Sequence, residues 1–346
     1  MGQPISSRTP YWIRKSGGRE LLVMMLDVPI LFLVFNRPEA TAKVFAQIKK
    51  VRPQRLYLAA DGPRFGQPSE EIVCRQVREL VINRIDWDCE IKTLFREENL
   101  GCKTAVSSAL KWFFQQEEMG IILEDDCLPD ESFFTFCQEM LIRYQNNTKI
   151  ISIAGSNLGY QTSGSTSYGF SRILNVWGWA TWRRSAELVD YELLDWKYKR
   201  YKDLFLLSRT KQYRGYDMNW IRMLRNYFDL TASRQIDTWD YQWIYTQMQE
   251  KTLAVFPANN LVKNIGFNEN ATHTVNPNHP IAKLALESIQ FPLQHPHYIS
   301  ADFDYEEYQK NIWFENKSQT LWKALKTKLL YVQCINWMNS KFKERL

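Results

Sequence analysis

Histidine is scarce in this chain, with four among 346 residues, and none of the six cysteines (74, 89, 102, 127, 137 and 334) stands in a Cys-x-x-Cys pair. The missing pair argues against a zinc ribbon, and the scattered thiols suit reduced, mostly buried side chains in a cytosolic protein. An uninterrupted membrane-spanning run is also missing, which makes an anchor at 21–35 the minor reading beside a buried strand. The most apolar stretch, residues 21–35, is interrupted by Asp27 and Pro29 and is shorter than the roughly 20 residues a spanning helix needs. A phosphate loop is absent. Gly101-Cys102-Lys103-Thr104 looks like the end of one, but position 96, where the first glycine must stand, is Arg. Broad basicity is missing as well. The net charge of +6 comes from 316–346, where seven cations face one anion; the rest carries 37 charges of each sign. A neutral body lacks the wide basic face of a nucleic-acid binder. No internal repeat or low-complexity segment is visible.

Aromatic residues are plentiful, at 14% with 13 Trp. Flat rings pack against pyranose faces, but they also fill cores, and composition leaves the two open. Past a polar arm over 1–27, buried strands alternate with amphipathic helices. Strands are expected at Pro29–Phe35, Arg55–Ala60, Glu90–Phe95, Gly120–Leu123 and Lys149–Ala154. Helices are expected at Glu39–Val51, Ser69–Ile85 (with Ser69 as N-cap), Thr104–Glu118 and Ser132–Gln145 (capped by Asp130). This alternation predicts an α/β fold with a mostly parallel, doubly wound sheet flanked by helices. Ligands bind such sheets at the carboxyl ends of the strands. Four polar segments converge there: 36–38, 61–62, 96–101 and Glu124-Asp125-Asp126. Adjacent carboxylates repel, and a divalent cation with oxygen ligands relieves that repulsion. The alternative is that Asp125 and Asp126 are turn formers, and for Asp126 the metal reading is preferred.

Phe35-Asn-Arg-Pro38, Ala60-Asp61-Gly62, Glu98-Asn-Leu-Gly101, Leu123-Glu-Asp-Asp126, Trp177-Gly-Trp179 and Trp239-Asp240 occur in an order and spacing that resembles a GT-A-fold (Rossmann-like) nucleotide-diphospho-sugar glycosyltransferase. Within that superfamily the chain is similar to N-acetylglucosaminyltransferase I and to bacterial family-two-like sugar transferases, over roughly residues 28–274. The resemblance implies a metal-dependent, inverting transfer from a nucleotide-diphospho-sugar, with a UDP-sugar favoured, to a saccharide or glycoconjugate acceptor. It implies that Arg37, Asp61, Asn99, Gly101, Glu124 and Asp125 contact the donor, with Asp61 accepting from the base. Asp126 would hold Mn²⁺ or Mg²⁺, with His273 a further candidate ligand or a surface residue. Asp240 would be the base, with Asp237 the alternative base or the cap of the helix that follows. Trp177, Gly178, Trp179 and Trp239 would wall the site, unless the tryptophans are core; Gly178 would admit the sugar close to the backbone.

The implied layout is a catalytic domain over 28–304, divided into a nucleotide-binding half (28–150) and an acceptor half (151–304). A basic amphipathic helical tail, 305–346, either touches an anionic membrane through 317–346 or packs on the domain. The expected location is the cytoplasm, with peripheral contact on the inner membrane face. A sugar-nucleotide pyrophosphorylase would need a Gly-rich loop where Asn36-Arg37-Pro38 stands. A catalytically silent nucleotide- or carbohydrate-binding protein remains open.

Overall fold

The computed structural model describes residues 11–16, 19–24, 26–162, 164–211, 217–267 and 280–312. The segment read as a polar arm contains a hairpin, β1 (Tyr11–Ser16) with β2 (Arg19–Met24). There follow β3 (Ile30–Val34), α1 (Pro38–Val51), β4 (Arg55–Ala60), α2 (Pro68–Ile82), β5 (Glu90–Phe95), α3 (Gly101–Phe114) and β6 (Met119–Glu124). Then come β7 (Cys127–Pro129), α4 (Glu131–Tyr144), β8 (Ile150–Ala154), β9 (Tyr168–Ser171), β10 (Trp179–Trp182) and α5 (Arg183–Ala186). The last elements are α6 (Leu194–Tyr198), α7 (Lys202–Thr210), α8 (Met218–Ala232), α9 (Asp240–Glu250), β11 (Leu253–Pro257) and β12 (Val262–Asn264).

The expected architecture is met. Eight strands form one sheet in the order β5-β4-β3-β6-β10-β8-β11-β9. The first four are mutually parallel, β10 enters antiparallel between β6 and β8, and β11 runs parallel to β8. The chain winds from β3 outward to β5, then returns to the other side of β3 as β6. The switch point of this Rossmann-like, GT-A-type sheet therefore lies between the ends of β3 and β6, where a crevice opens.

Strand alternation builds the two layers. Ile30, Phe32 and Val34 of β3 face Val44, Phe45 and Ile48 of α1. Leu31 and Leu33 face the opposite layer, with Val106, Leu110 and Phe113 of α3. Helix α2 starts at Pro68, not at a Ser69 cap; no side chain caps it, and proline at the first helical position needs no N–H partner there. Helix α3 begins three residues earlier than its apolar pattern suggests, for a reason given below.

The boundary drawn at 305 falls inside a packed element. Residues 303–312 are helical. Tyr305 stacks on Phe256 at 3.7 Å, and the buried Glu306 pairs with Arg172. Residues 313–346, and with them the proposed membrane contact, lie outside the described residues, as does His273.

Candidate active site

The ends of β3 and β6 are tied together first. The backbone N–H of Phe35 donates to Asp125 Oδ2 at 3.2 Å. Arg37, the residue before α1, places Nη1 2.7 Å from Asp126 Oδ2 and 3.3 Å from Asp125 Oδ1. Burial acts to lower the Arg37 pKa, but Asp125 and Asp126 more than offset it, so the guanidinium is held charged. One cation therefore faces three consecutive carboxylates. Burial pushes the Glu124 carboxyl well up, helped by Asp126, Asp125 and Asp240. Burial and Asp126 push Asp125 up to about 7.

In front of this cluster is a cleft of about 420 Å³. Its floor is apolar and made of small or branched side chains, among them Leu33, Ala59, Val106 and Ala109. Its polar lining combines Arg37, Arg64 and Arg96 with Asp61, Asn99, Glu124, Asp125 and Asp237. The apolar floor and convergent charges are the arrangement of a ligand site. The cations suit a polyanion such as a diphosphate.

Several expected roles are corrected by the geometry. The Asp61 carboxylate, at the cleft wall, also serves its own rim: it accepts from the N–H groups of Gly62 (2.9 Å) and Leu100 (3.0 Å) and from Asn99 Nδ2 (2.9 Å). Asp61 and Asn99 thus hold the 96–101 segment in place. Trp179 and Trp239 are core residues, 1% and 3% exposed, stacked on each other at 5.7 Å, so neither has a face for a sugar. Trp177 packs edge-on against Phe267 at 5.8 Å. Gly178 has φ +58, and a Cβ there would lie 2.7 Å from Val262; its close approach is to β12 and not to a ligand.

Asp237 is the main surprise. It does not cap its neighbour α9, whose N-cap residue is Trp239 with no side-chain cap. Its carboxylate accepts from the N–H groups of Cys102 (2.7 Å) and Lys103 (2.9 Å), satisfying orphan donors in the first turn of α3 from 135 residues away. Gly101, at φ +78, leaves room for it, since a Cβ would sit 2.6 Å from Asp237 Oδ2. This long-range cap is why α3 begins at Gly101. Asp240, the first residue of α9, is close enough to Glu124 to raise its pKa. Arg64 and Cys102 were missed as lining residues; for Arg64 the only signal was a cation four residues past the end of β4.

The residues fit a divalent cation in charge and donor type, since Arg37 leaves the three acids undercompensated. Among the described residues no three metal-binding side chains converge into a ready-made cage. Asp126, whose carboxylate lies beside Arg37, would hold the ion.

A pH dependence follows in the metal-free protein. A carboxyl raised by folding binds protons that the unfolded chain has released. Stability from Glu124 and Asp125 is therefore fully present below the ordinary carboxyl range and is lost as pH rises toward about 7. Melting temperatures measured across that window should fall with pH, and Asp125→Asn should flatten the slope. An unchanged slope in the variant would contradict the assignment.

No family model and no curated protein matches this chain. Among solved structures it is similar to HddC from Yersinia pseudotuberculosis, at 11% identity over 45% of this chain and 77% of that one, with a TM-score of 0.28. It is similar to 4-diphosphocytidyl-2C-methyl-D-erythritol synthase from Anaerococcus prevotii at 9% identity, over 74% and 96%, with a TM-score of 0.33. Mouse xyloside xylosyltransferase 1 matches at 10% identity, over 65% and 82%, with a TM-score of 0.31. Likeness at this level identifies neither a substrate nor a reaction.

Proposed function

We propose that this chain is a metal-dependent, inverting glycosyltransferase that moves a sugar from a nucleotide-diphospho-sugar, a UDP-sugar by preference, to an acceptor hydroxyl. The observation that carries the reading is the cleft at the ends of the parallel strands, which Arg37, Arg64 and Arg96 line together with Glu124 and Asp125 over an apolar floor. The arginines would hold the diphosphate. Asp125 would accept from sugar hydroxyls, and Glu124 would orient the site from the end of β6. Mn²⁺ or Mg²⁺, when bound at Asp126, would supply Lewis-acid stabilisation of the leaving diphosphate. Asp240 would take the acceptor proton as the acceptor oxygen bonds to the anomeric carbon and the bond to the diphosphate breaks on the opposite face.

Among the described residues no helix is long and apolar enough to cross a membrane. Product analysis tests the proposed reaction. With UDP-sugars and Mn²⁺ the protein should release UDP and free sugar slowly, and with an acceptor present it should release UDP faster while the sugar appears on the acceptor. Formation of UTP that depends on added pyrophosphate would instead make it a pyrophosphorylase. Binding of UDP-sugar with no product of either kind would make it a silent binder.

A further inference from the structure

Helices α6 and α7 are anchored on α8 by Leu193, Trp196 and Leu206, all fully buried. Their outward side is not the polar surface such anchoring normally leaves. Leu194 is 51% exposed, Tyr198 77%, Tyr201 60% and Leu204 62%. Four cations are interleaved with them: Lys197, Lys199, Arg200 and Lys202. Lys199 and Lys202 are paired with Asp195 and Asp229. Lys197 and Arg200 have no carboxylate partner among the described residues, and each lies over a tyrosine ring, at 5.8 Å from Tyr198 and 5.3 Å from Tyr201.

Beside this face is a groove of about 400 Å³ lined by Leu194, Lys197, Ser233, Arg234 and Glu192. Glu192 bonds both Arg234 and Lys103, the latter in the first turn of α3 at the rim of the cleft. The exposed face therefore adjoins the cleft through a single shared carboxylate.

We infer that this face docks on an anionic lipid surface. Tyrosine, with an apolar ring and a polar tip, sits favourably at headgroup level, and the two leucines add aliphatic area for the acyl boundary. Lys197 and Arg200 complement lipid phosphates in charge. Two unpaired cations on a neutral body are too few for a nucleic-acid backbone, and exposed leucines contribute nothing to one. The docking would bring a membrane-borne acceptor to the cleft, but it stands independently of the reaction assigned there.

Cosedimentation of the full chain with phosphatidylglycerol–phosphatidylcholine vesicles, against pure phosphatidylcholine, tests the inference. Wild type should partition onto the anionic vesicles. The exposed-site variant Tyr198→Ser/Tyr201→Ser/Leu204→Ser should weaken that partition by roughly tenfold or more at an unchanged melting temperature. Lys197→Glu/Arg200→Glu, which leaves the apolar side chains in place, should abolish the preference for anionic lipid. The seven cations of 316–346 are retained in both variants, so a loss reports on α6 and α7. Failure of wild type to bind, wild-type partition by both variants, or binding to a soluble polyanion without binding to vesicles would overturn it.

Discussion

Asp240→Asn is expected to lower turnover by about 10²–10⁴-fold while leaving the affinity for UDP and Mn²⁺ nearly unchanged. The substitution keeps the shape of the side chain and removes its capacity to accept a proton. Asp240 is suited to the role by position. It opens α9, its Oδ1 accepts from the N–H of Tyr241 and from the Thr238 hydroxyl, and Oδ2 has no hydrogen-bond partner among the described residues. It is near enough to Glu124 to raise its pKa, and it makes no ion pair with Arg37. Steady-state kinetics alongside calorimetric binding separates the two effects. Full turnover in the variant would place the base elsewhere. A parallel loss of donor affinity would mean that Asp240 binds and does not abstract.

Trp179→Ala is expected to destabilise the fold by about 3–5 kcal/mol, the usual cost of emptying a large aromatic site in a core. Trp179 stacks on Trp239 and meets Trp243 edge-on at 4.7 Å, with all three rings sealed between the sheet and α9. Urea titration measures the loss directly. A tryptophan lining a sugar site would behave differently, with near wild-type stability and weaker substrate binding. That second pattern would contradict the packing described above and restore the role the sequence motif suggested.

The contrast shows what local pattern conveys. The parallel half of the sheet was legible because each strand is a short apolar run closed by polar residues, and each helix between them repeats its apolar face. The convergence of Arg37, Asn99, Gly101, Glu124 and Asp125 on one rim follows from that topology alone. The Trp177–Trp179 segment misled because its neighbours are loops in sequence. Nothing nearby shows that β10 inserts antiparallel between β6 and β8, which turns Trp179 inward. Asp237 misled for the same reason in another form. An acid shortly before a helix reads as that helix's cap, whereas its partners lie at Cys102 and Lys103 on the far side of the fold. Asp61 was found at its strand end, but the sequence does not show the three donors it also holds, which lie up to 39 residues away. The residues at 303–312 look like the start of a tail because their partners, Phe256, Ser171 and Arg172, are contributed by strands and loops distant in sequence.

The central claim is that the acids at the end of β6 bind a nucleoside diphosphate through a divalent cation. Titrating UDP into wild type and Asp126→Ala, each with and without Mn²⁺, tests it most directly. The account predicts that Mn²⁺ strengthens UDP binding to wild type and that Asp126→Ala loses this gain while keeping its metal-free affinity. Equal Mn²⁺-dependent affinity in the two proteins would contradict it.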